Sequence, residues 1–125
     1  MIRLFRSLLL FLMLVGLAHA GQEAFTQNAF DKLQKDGLPI LVSIHADWCP
    51  TCRVQAPIVE KLLNKAEYRH INALRVDFDQ QKAVVSAFKA ITQSTLIVFK
   101  GGKEVGRSVG DTNEAGIEAL LKKTL

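Results

Sequence analysis

The sequence is poor in the residues that most functional sites require, and it lacks a long apolar stretch. Its 125 residues include two cysteines, three histidines and one tryptophan. The longest apolar segment, residues 8–18, has roughly half of the 20 residues that a membrane-spanning helix needs, which argues against a retained membrane anchor. The basic residues are scattered rather than clustered, so nucleic acid is not expected as a partner. The chemistry is therefore expected at the two cysteines, Cys49 and Cys52.

The first twenty residues have the three parts of a secretory signal. Arg3 and Arg6 precede the apolar segment, and a small-x-small triplet, Ala-His-Ala, follows it at residues 18–20. We expect cleavage before Gly21 and export to the periplasm of a Gram-negative cell, where disulfides can persist. The remaining residues, 21–125, have the size of one compact domain.

Apolar periodicity predicts alternating helices and strands along this domain. A short hairpin is expected where two β-rich runs are split by Gly101-Gly102. Alternating elements that end in a hairpin predict an α/β sandwich, with a mixed central β-sheet flanked by helices. The predicted elements are a helix over 26–36, a strand over 39–46, a helix over 49–67, a strand over 71–79, a helix over 80–90, two strands within 94–109, and a helix over 112–125.

Three structural roles for the cysteine pair are disfavoured by its surroundings. Attachment of a c-type haem needs a histidine directly after the second cysteine, where this chain has Arg53. A zinc site needs four ligands, and only His45 and His70 are available to complete one. A disulfide between Cys49 and Cys52 closes a very short loop, so it stabilises the fold little.

A redox role agrees better with the position of the pair. Cys49 falls where a strand leads into a helix, and free backbone N–H groups and the helix dipole favour a thiolate there. Pro50 suits the first helical turn because it has no N–H to leave unpaired. Cys52 is then one turn deeper and screened from solvent. This arrangement predicts one attacking and one resolving sulfur.

The segment ADWCPTC, with Trp48 before the first cysteine, resembles the active-site segment of the thioredoxin family. Pro57 in the following helix, Asp79 in VDFD, the run STLIVFKGGKEV and Gly110 are similar to the family in register. The resemblance implies a thioredoxin fold, a three-layer sandwich, in a monomer. It also implies that Cys49 attacks and Cys52 resolves a disulfide exchanged with protein thiols.

The residues around the pair are assigned supporting roles. No organic cofactor and no metal are expected, because the dithiol carries the electrons itself. Two positions on the facing loop, Ser94 and Thr95, complete the expected site. The residues expected to shape it beside the cysteines are Trp48, Pro50 and Thr51.

Two departures from the family pattern concern proton transfer. The family has a buried aspartate on the strand that leads into the site, and this chain has Ser43 there. Arg75 takes the place of the lysine that accompanies that aspartate. His45 lies on the same strand face, and imidazole titrates near neutral pH, so we treat it as a candidate for proton transfer.

A third departure is Ser94, which stands where the family has a cis-proline before the threonine. A cis bond costs roughly 2.5 to 4 kcal/mol before a non-proline residue, against about 0.5 to 1 kcal/mol before proline. The Gln93–Ser94 bond is therefore predicted to be trans, with the loop locally rearranged.

These observations favour an exported thiol-disulfide oxidoreductase. We expect a reductant fed by a membrane electron donor, because the chain has no room for the helical insertion that related oxidants usually carry. One alternative is a copper- or zinc-binding thioredoxin-like protein that uses Cys49, Cys52 and His45, since thiolates suit copper(I). Another is a non-catalytic binding module that docks partners through the Ser94 loop.

Overall fold

The computed structural model describes residues 21–125, so the predicted leader, residues 1–20, lies outside the described residues. The described part forms five strands, four α-helices and one turn of 3₁₀-helix. None of its helices has the length and hydropathy needed to cross a membrane. In chain order the elements are β1 (Glu23–Ala24), α1 (Gln27–Lys35), β2 (Ile40–His45), α2 (Pro50–Leu63), the 3₁₀ turn (Ala66–Tyr68), β3 (Asn72–Asp77), α3 (Lys82–Ala87), β4 (Thr95–Lys100), β5 (Lys103–Val109) and α4 (Glu114–Lys122).

The strands form one mixed sheet in the order β1-β3-β2-β4-β5. β3 runs parallel to both β1 and β2, whereas β4 is antiparallel to β2 and to β5. The hairpin between β4 and β5 turns at Gly101 and Gly102, whose φ angles of 61° and 79° lie in the left-handed region that glycine tolerates. The predicted mixed sheet and its terminal hairpin are confirmed. β1 was not predicted, because two exposed residues carry no periodic signal.

Helices cover both faces of the sheet, which gives the predicted three layers. Alternate residues of the central strands point to opposite faces, so each face has its own apolar core. The core under α2 and α4 includes Leu41, Ala73, Leu96, Val98, Val59, Leu62, Tyr68, Ile117 and Leu121. The core under α1 and α3 includes Ile40, Val42, Ile44, Leu74, Val76, Ile97, Phe99, Phe25, Phe30 and Val85.

The buried face of α2 agrees only in part with the apolar spacing of the sequence. Apolar residues recur at helical spacing at Val54, Ile58, Leu62 and Leu63. Leu62 and Leu63 are buried, as this spacing predicts, whereas Val54 is 55% exposed. The helix instead buries Cys52, Gln55 and Val59 at a spacing of three and four residues, before Leu62 and Leu63. A polar residue therefore occupies a core position of α2. Pro57 lies inside the helix, as expected.

Candidate active site

Both cysteines sit where β2 passes into α2. The backbone N–H of Cys49 donates to the Ala46 carbonyl at 3.1 Å, which closes the turn between the two elements. Cys49 is the N-cap residue, with an extended backbone, and Pro50 begins the helix. The Cys49 sulfur accepts the N–H of Cys52 at 3.2 Å. The helix thus directs one of its free N–H groups at the first sulfur, as predicted.

The sulfurs are screened from solvent to different degrees. Cys49 is 4% exposed and Cys52 is 1% exposed, and both are free thiols in this structure. They form a small apolar cluster with Ala46, against which the half-buried Phe78 packs. Cys49 also borders a surface groove of about 150 Å³ that Thr51, residues 92–94, Val109 and Gly110 complete. A substrate sulfur can therefore approach Cys49 from this groove.

Ser94 brings a hydroxyl group to both sulfurs. Its Oγ lies 2.9 Å from the Cys52 sulfur and 3.4 Å from the Cys49 sulfur. Ser94 is 2% exposed, so water does not compete freely for this hydroxyl. The residue that replaces proline thus contacts the dithiol directly.

The two thiols have opposite pKa shifts. Burial opposes ionisation of Cys49, but hydrogen bonds from the side chains of Cys52 and Ser94 and from the backbone N–H groups of Cys52 and Thr51 outweigh it, so the Cys49 pKa is lowered. Burial raises the pKa of the Cys52 thiol, and its hydrogen bond to Cys49 adds to this; the Ser94 hydroxyl and the Ala46 backbone oppose the rise without cancelling it. Cys49 is therefore the sulfur that ionises first, and Cys52 remains protonated.

Trp48 and Asp79 lie beside the cysteines on the solvent side. Trp48 is 54% exposed, and its indole Nε1 donates to Asp79 Oδ2 at 2.6 Å. Asp79 is itself held by its backbone N–H, which donates to Asp77 Oδ1 at 2.9 Å. These bonds fix the orientation of the indole ring next to the first sulfur.

The facing loop has the predicted trans bond and an unusual backbone. No peptide bond within residues 21–125 is cis, so Gln93–Ser94 is trans as predicted. Ser94 has φ +62°, a left-handed conformation that residues other than glycine rarely adopt. The next residue, Thr95, is buried, and its Oγ1 donates to the Thr92 carbonyl at 2.8 Å. Thr95 thus holds the loop rather than contacting the sulfurs.

His45 makes a hydrogen bond away from the dithiol. Its Nε2 lies 2.9 Å from Asp47 Oδ1, and the ring borders a second groove with Gln22, Arg75 and Gln81. Neither sulfur has a hydrogen bond to His45 among those found in the described part of the chain. The structure therefore does not bring this proton-transfer candidate to the cysteines.

Ser43 and Arg75 pair in register on neighbouring strands β2 and β3. The Ser43 hydroxyl donates to Gln22 Oε1 at 2.5 Å. The Arg75 Nε is buried and has no hydrogen-bond partner within residues 21–125. The position of the family's buried aspartate is thus occupied by a neutral hydroxyl that is already engaged elsewhere.

Gln55 is a residue of the site that the sequence patterns did not identify. It is 4% exposed, and its Nε2 donates to the Ser94 carbonyl at 3.2 Å and to the Asp111 carbonyl at 2.9 Å. It therefore ties α2 to the loop that carries Ser94. The sequence feature that could have identified Gln55 is its position three residues after Cys52, on the same face of the helix.

Residues 21–125 contain no cluster of three or more histidine, cysteine, aspartate or glutamate side chains placed to hold a metal ion.

The two sulfurs at the start of α2 form a dithiol centre. Their pKa values are unequal, and one sulfur borders a groove while the other lies behind it. Such a centre can attack a disulfide with one sulfur and resolve the mixed disulfide with the other. The fold and the site together define a thiol-disulfide exchange protein.

Comparisons with known proteins agree with this class. The thioredoxin family model matches residues 21–123. Thioredoxin from Chlamydia trachomatis is 36% identical over 101 residues, which cover 81% of this chain and 96% of that protein. Thioredoxin 1 from Nostoc is 31% identical over 108 residues, with coverages of 86% and 96%. The crystal structure of Trxlp from Edwardsiella tarda has a TM-score of 0.78 and 37% identity, and the match covers 81% of this chain and 98% of that one.

The chain belongs to the thioredoxin family. It is a protein-disulfide oxidoreductase of a family that acts on protein disulfides. Cys49 and Cys52 form the CxxC pair of this chain. The redox-active cysteines are the only redox group that this family needs.

Proposed function

We propose that the protein is exported and reduces disulfides of other proteins outside the cytoplasm, with electrons supplied by a donor in the membrane. The observation that carries the proposal is the pair of thiols with opposite pKa shifts at the start of α2. Cys49 attacks the substrate disulfide and forms a mixed disulfide. Cys52 then displaces the second substrate sulfur, which leaves as a thiol, and the Cys49–Cys52 disulfide is returned to the dithiol by the donor.

The groups around Cys49 support the reducing direction. A strong oxidant of this kind owes its potential to strong stabilisation of the reduced form. The groups that lower the Cys49 pKa are a thiol, a hydroxyl and two backbone N–H groups, and no cationic side chain of the described residues is among them. Burial acts against the thiolate at the same time. Among the described residues, no neighbouring cation stabilises the Cys49 thiolate and thus the reduced form, which favours a reductant.

Export is supported by residues 1–20, which combine two arginines, an apolar segment and a small-x-small triplet. The test is to produce the full chain in a Gram-negative host, fractionate the cells and determine the N-terminus of the protein. A periplasmic product that begins at Gly21 is expected. A Leu10→Arg variant, which interrupts the apolar segment, is expected to stay in the cytoplasm uncleaved. Finding the uncleaved wild-type chain in the cytoplasm would overturn this part of the proposal.

We further propose that the protein acts as a monomer, because both edge strands of its sheet are poorly suited to pairing with a strand of another chain. β1 has two residues, and the exposed side chains of β5 include Lys103, Glu104 and Arg107. Short and charged edge strands discourage edge-to-edge association. Light scattering during size exclusion is expected to give the monomer mass.

Activity is tested by insulin reduction with dithiothreitol as the electron source. Wild type is expected to accelerate the reaction, Cys49→Ser to abolish the acceleration, and Cys52→Ser to accumulate a mixed disulfide with insulin. Comparing Cys49→Ser with Cys52→Ser distinguishes the attack on the substrate disulfide from resolution of the mixed disulfide. A rate that does not depend on Cys49 would indicate a binding module rather than a reductase.

A further inference from the structure

Ser94 is held in an unfavourable backbone conformation by contacts from three parts of the fold. Its φ of +62° is energetically unfavourable for a residue with a Cβ. Its N–H donates to the Ile44 carbonyl at 2.8 Å, and its carbonyl accepts from the Gly110 N–H at 2.9 Å and from Gln55 Nε2 at 3.2 Å. Glycine would adopt this backbone without the cost. The backbone conformation at residue 94 therefore favours glycine, yet this chain has a serine there.

That side chain is placed to pass a proton between sulfurs. A hydroxyl has one proton to donate and lone pairs to accept, and this one lies 2.9 Å from the Cys52 sulfur and 3.4 Å from the Cys49 sulfur. It also borders the groove from which a substrate sulfur reaches Cys49. Ser94 therefore stands between the thiol that must lose a proton and the place where a thiolate departs.

The two other candidates for accepting the Cys52 proton are hydrogen-bonded to other residues. The Ser43 hydroxyl donates to Gln22, and His45 is hydrogen-bonded to Asp47. Within residues 21–125, the Cys52 sulfur has its side-chain hydrogen bond to an oxygen atom with the Ser94 hydroxyl. Cys52 needs such a group because its thiol must be deprotonated before or as it attacks.

We propose that Ser94 is a catalytic residue that relays a proton during resolution of the mixed disulfide. This inference rests on the proposed exchange at Cys49 and Cys52. As the Cys52 sulfur bonds to the Cys49 sulfur, the bond between Cys49 and the substrate sulfur breaks, and its electron pair leaves with the substrate. Ser94 Oγ accepts the Cys52 proton while its own proton passes to the departing sulfur. The products are the Cys49–Cys52 disulfide, a substrate thiol and an unchanged serine.

The relay predicts that the hydroxyl matters most when the departing sulfur is basic. The reduced protein is mixed with oxidised glutathione, whose leaving thiol is basic, or with Ellman's reagent, whose leaving thiol is acidic. The reaction is quenched with acid at intervals, and the decay of the mixed disulfide is followed by mass spectrometry. Because both reagents are small disulfides, this measurement reports on the relay whether or not insulin is reduced.

The test variant is Ser94→Gly, which removes the hydroxyl and suits the left-handed backbone. We expect it to slow resolution of the glutathione mixed disulfide by about 100-fold, the lower end of general acid-base effects. Resolution of the Ellman mixed disulfide is expected to slow by a smaller factor, because its thiolate leaves without a proton and only the transfer from Cys52 is lost. Ser94→Ala replaces the glycine variant if the latter does not fold.

Two further variants act as controls. Ser94→Thr keeps a hydroxyl and is expected to recover most of the glutathione rate, although its branched side chain fits the backbone less well. Ser43→Ala removes another buried serine hydroxyl and is expected to behave as wild type. Equal slowing with both reagents in the glycine variant would show that Ser94 passes no proton to the departing sulfur, which would overturn the relay. No slowing, or an equal loss in Ser43→Ala, would also overturn the relay.

Discussion

Replacing Gln55 with methionine tests the contact that fixes the Ser94 loop to α2. Methionine has a similar length and no hydrogen-bond donor, so the main change is the loss of two bonds from Nε2. One runs to the Ser94 carbonyl at 3.2 Å and the other to the Asp111 carbonyl at 2.9 Å. Because Gln55 is 4% exposed, water cannot easily take its place.

The two carbonyls differ in what they lose. The Ser94 carbonyl keeps the Gly110 N–H as a donor at 2.9 Å. Losing its bond to Gln55 therefore costs about 0.5 to 1 kcal/mol of folding stability. The Asp111 carbonyl loses its bond to Gln55 and is only partly open to solvent, which costs about 1 to 2 kcal/mol. The free energy of unfolding is therefore expected to fall by about 2 kcal/mol. In a domain of this size that lowers the melting temperature by about 10 °C.

Urea denaturation of the oxidised and reduced proteins measures this change. Gln27→Met is the matched control, because Gln27 is exposed and bonded to Asp31 on the surface of α1; its effect should stay within about 0.5 kcal/mol. The Gln55 variant should also raise the Cys49 pKa toward that of a free thiol, because Ser94 is held less firmly beside the sulfurs. If Gln55→Met were as stable as Gln27→Met, the hydrogen bonds of Gln55 between α2 and the loop would contribute nothing to stability.

Three further predictions concern the thiols and the core. With limiting iodoacetamide near neutral pH, peptide mapping should find Cys49 alkylated before Cys52, because the Cys49 pKa is lowered and that of Cys52 is raised; the reverse order would contradict the assignment of the attacking sulfur. Burial, with the hydrogen bond to Glu118, raises the pKa of Tyr68 to about 12, so its contribution to stability is complete below about pH 10 and lost as the pH rises toward 12. Tyr68→Phe should remove that loss in denaturation at alkaline pH, and an unchanged pH profile would count against it. Phe30→Ala, in the aromatic cluster under α1, should cost about 3 to 5 kcal/mol in urea denaturation, and a cost below about 1 kcal/mol would mean that the cluster repacks.

The architecture was predictable because its signals are local. The strands of the central sheet are short apolar runs bounded by turn residues, and the α2 start is marked by Pro50 after a cysteine. β1 was missed because two residues carry no period, and its place at the edge depends on pairing with β3. The exposure of Val54 was not predictable from the apolar spacing, because Val54 is apolar and Gln55 is polar, whereas the fold buries Gln55 and exposes Val54.

The cysteines, and the trans bond before Ser94, were also predictable from residue types and backbone energetics. The left-handed backbone of Ser94 and the direction of its hydroxyl were not, because both are fixed by Ile44, Gly110 and Gln55, which are distant in sequence. His45 was a reasonable proton-transfer candidate from strand alternation. Its hydrogen bond to Asp47 depends on the conformation of the turn after β2, which periodicity does not determine.

The equilibrium reduction potential of the Cys49–Cys52 pair determines whether this dithiol acts as a reductant. Purified protein comprising residues 21–125 is equilibrated in glutathione buffers of graded ratio, and the oxidised fraction is measured by alkylation and mass spectrometry. No cationic side chain is among the groups that lower the Cys49 pKa in the described residues, which predicts a potential more negative than about −200 mV, on the side of thioredoxin at about −270 mV. A less negative value, toward the roughly −120 mV of a strong oxidant, would show that the pair does not act as a reductant.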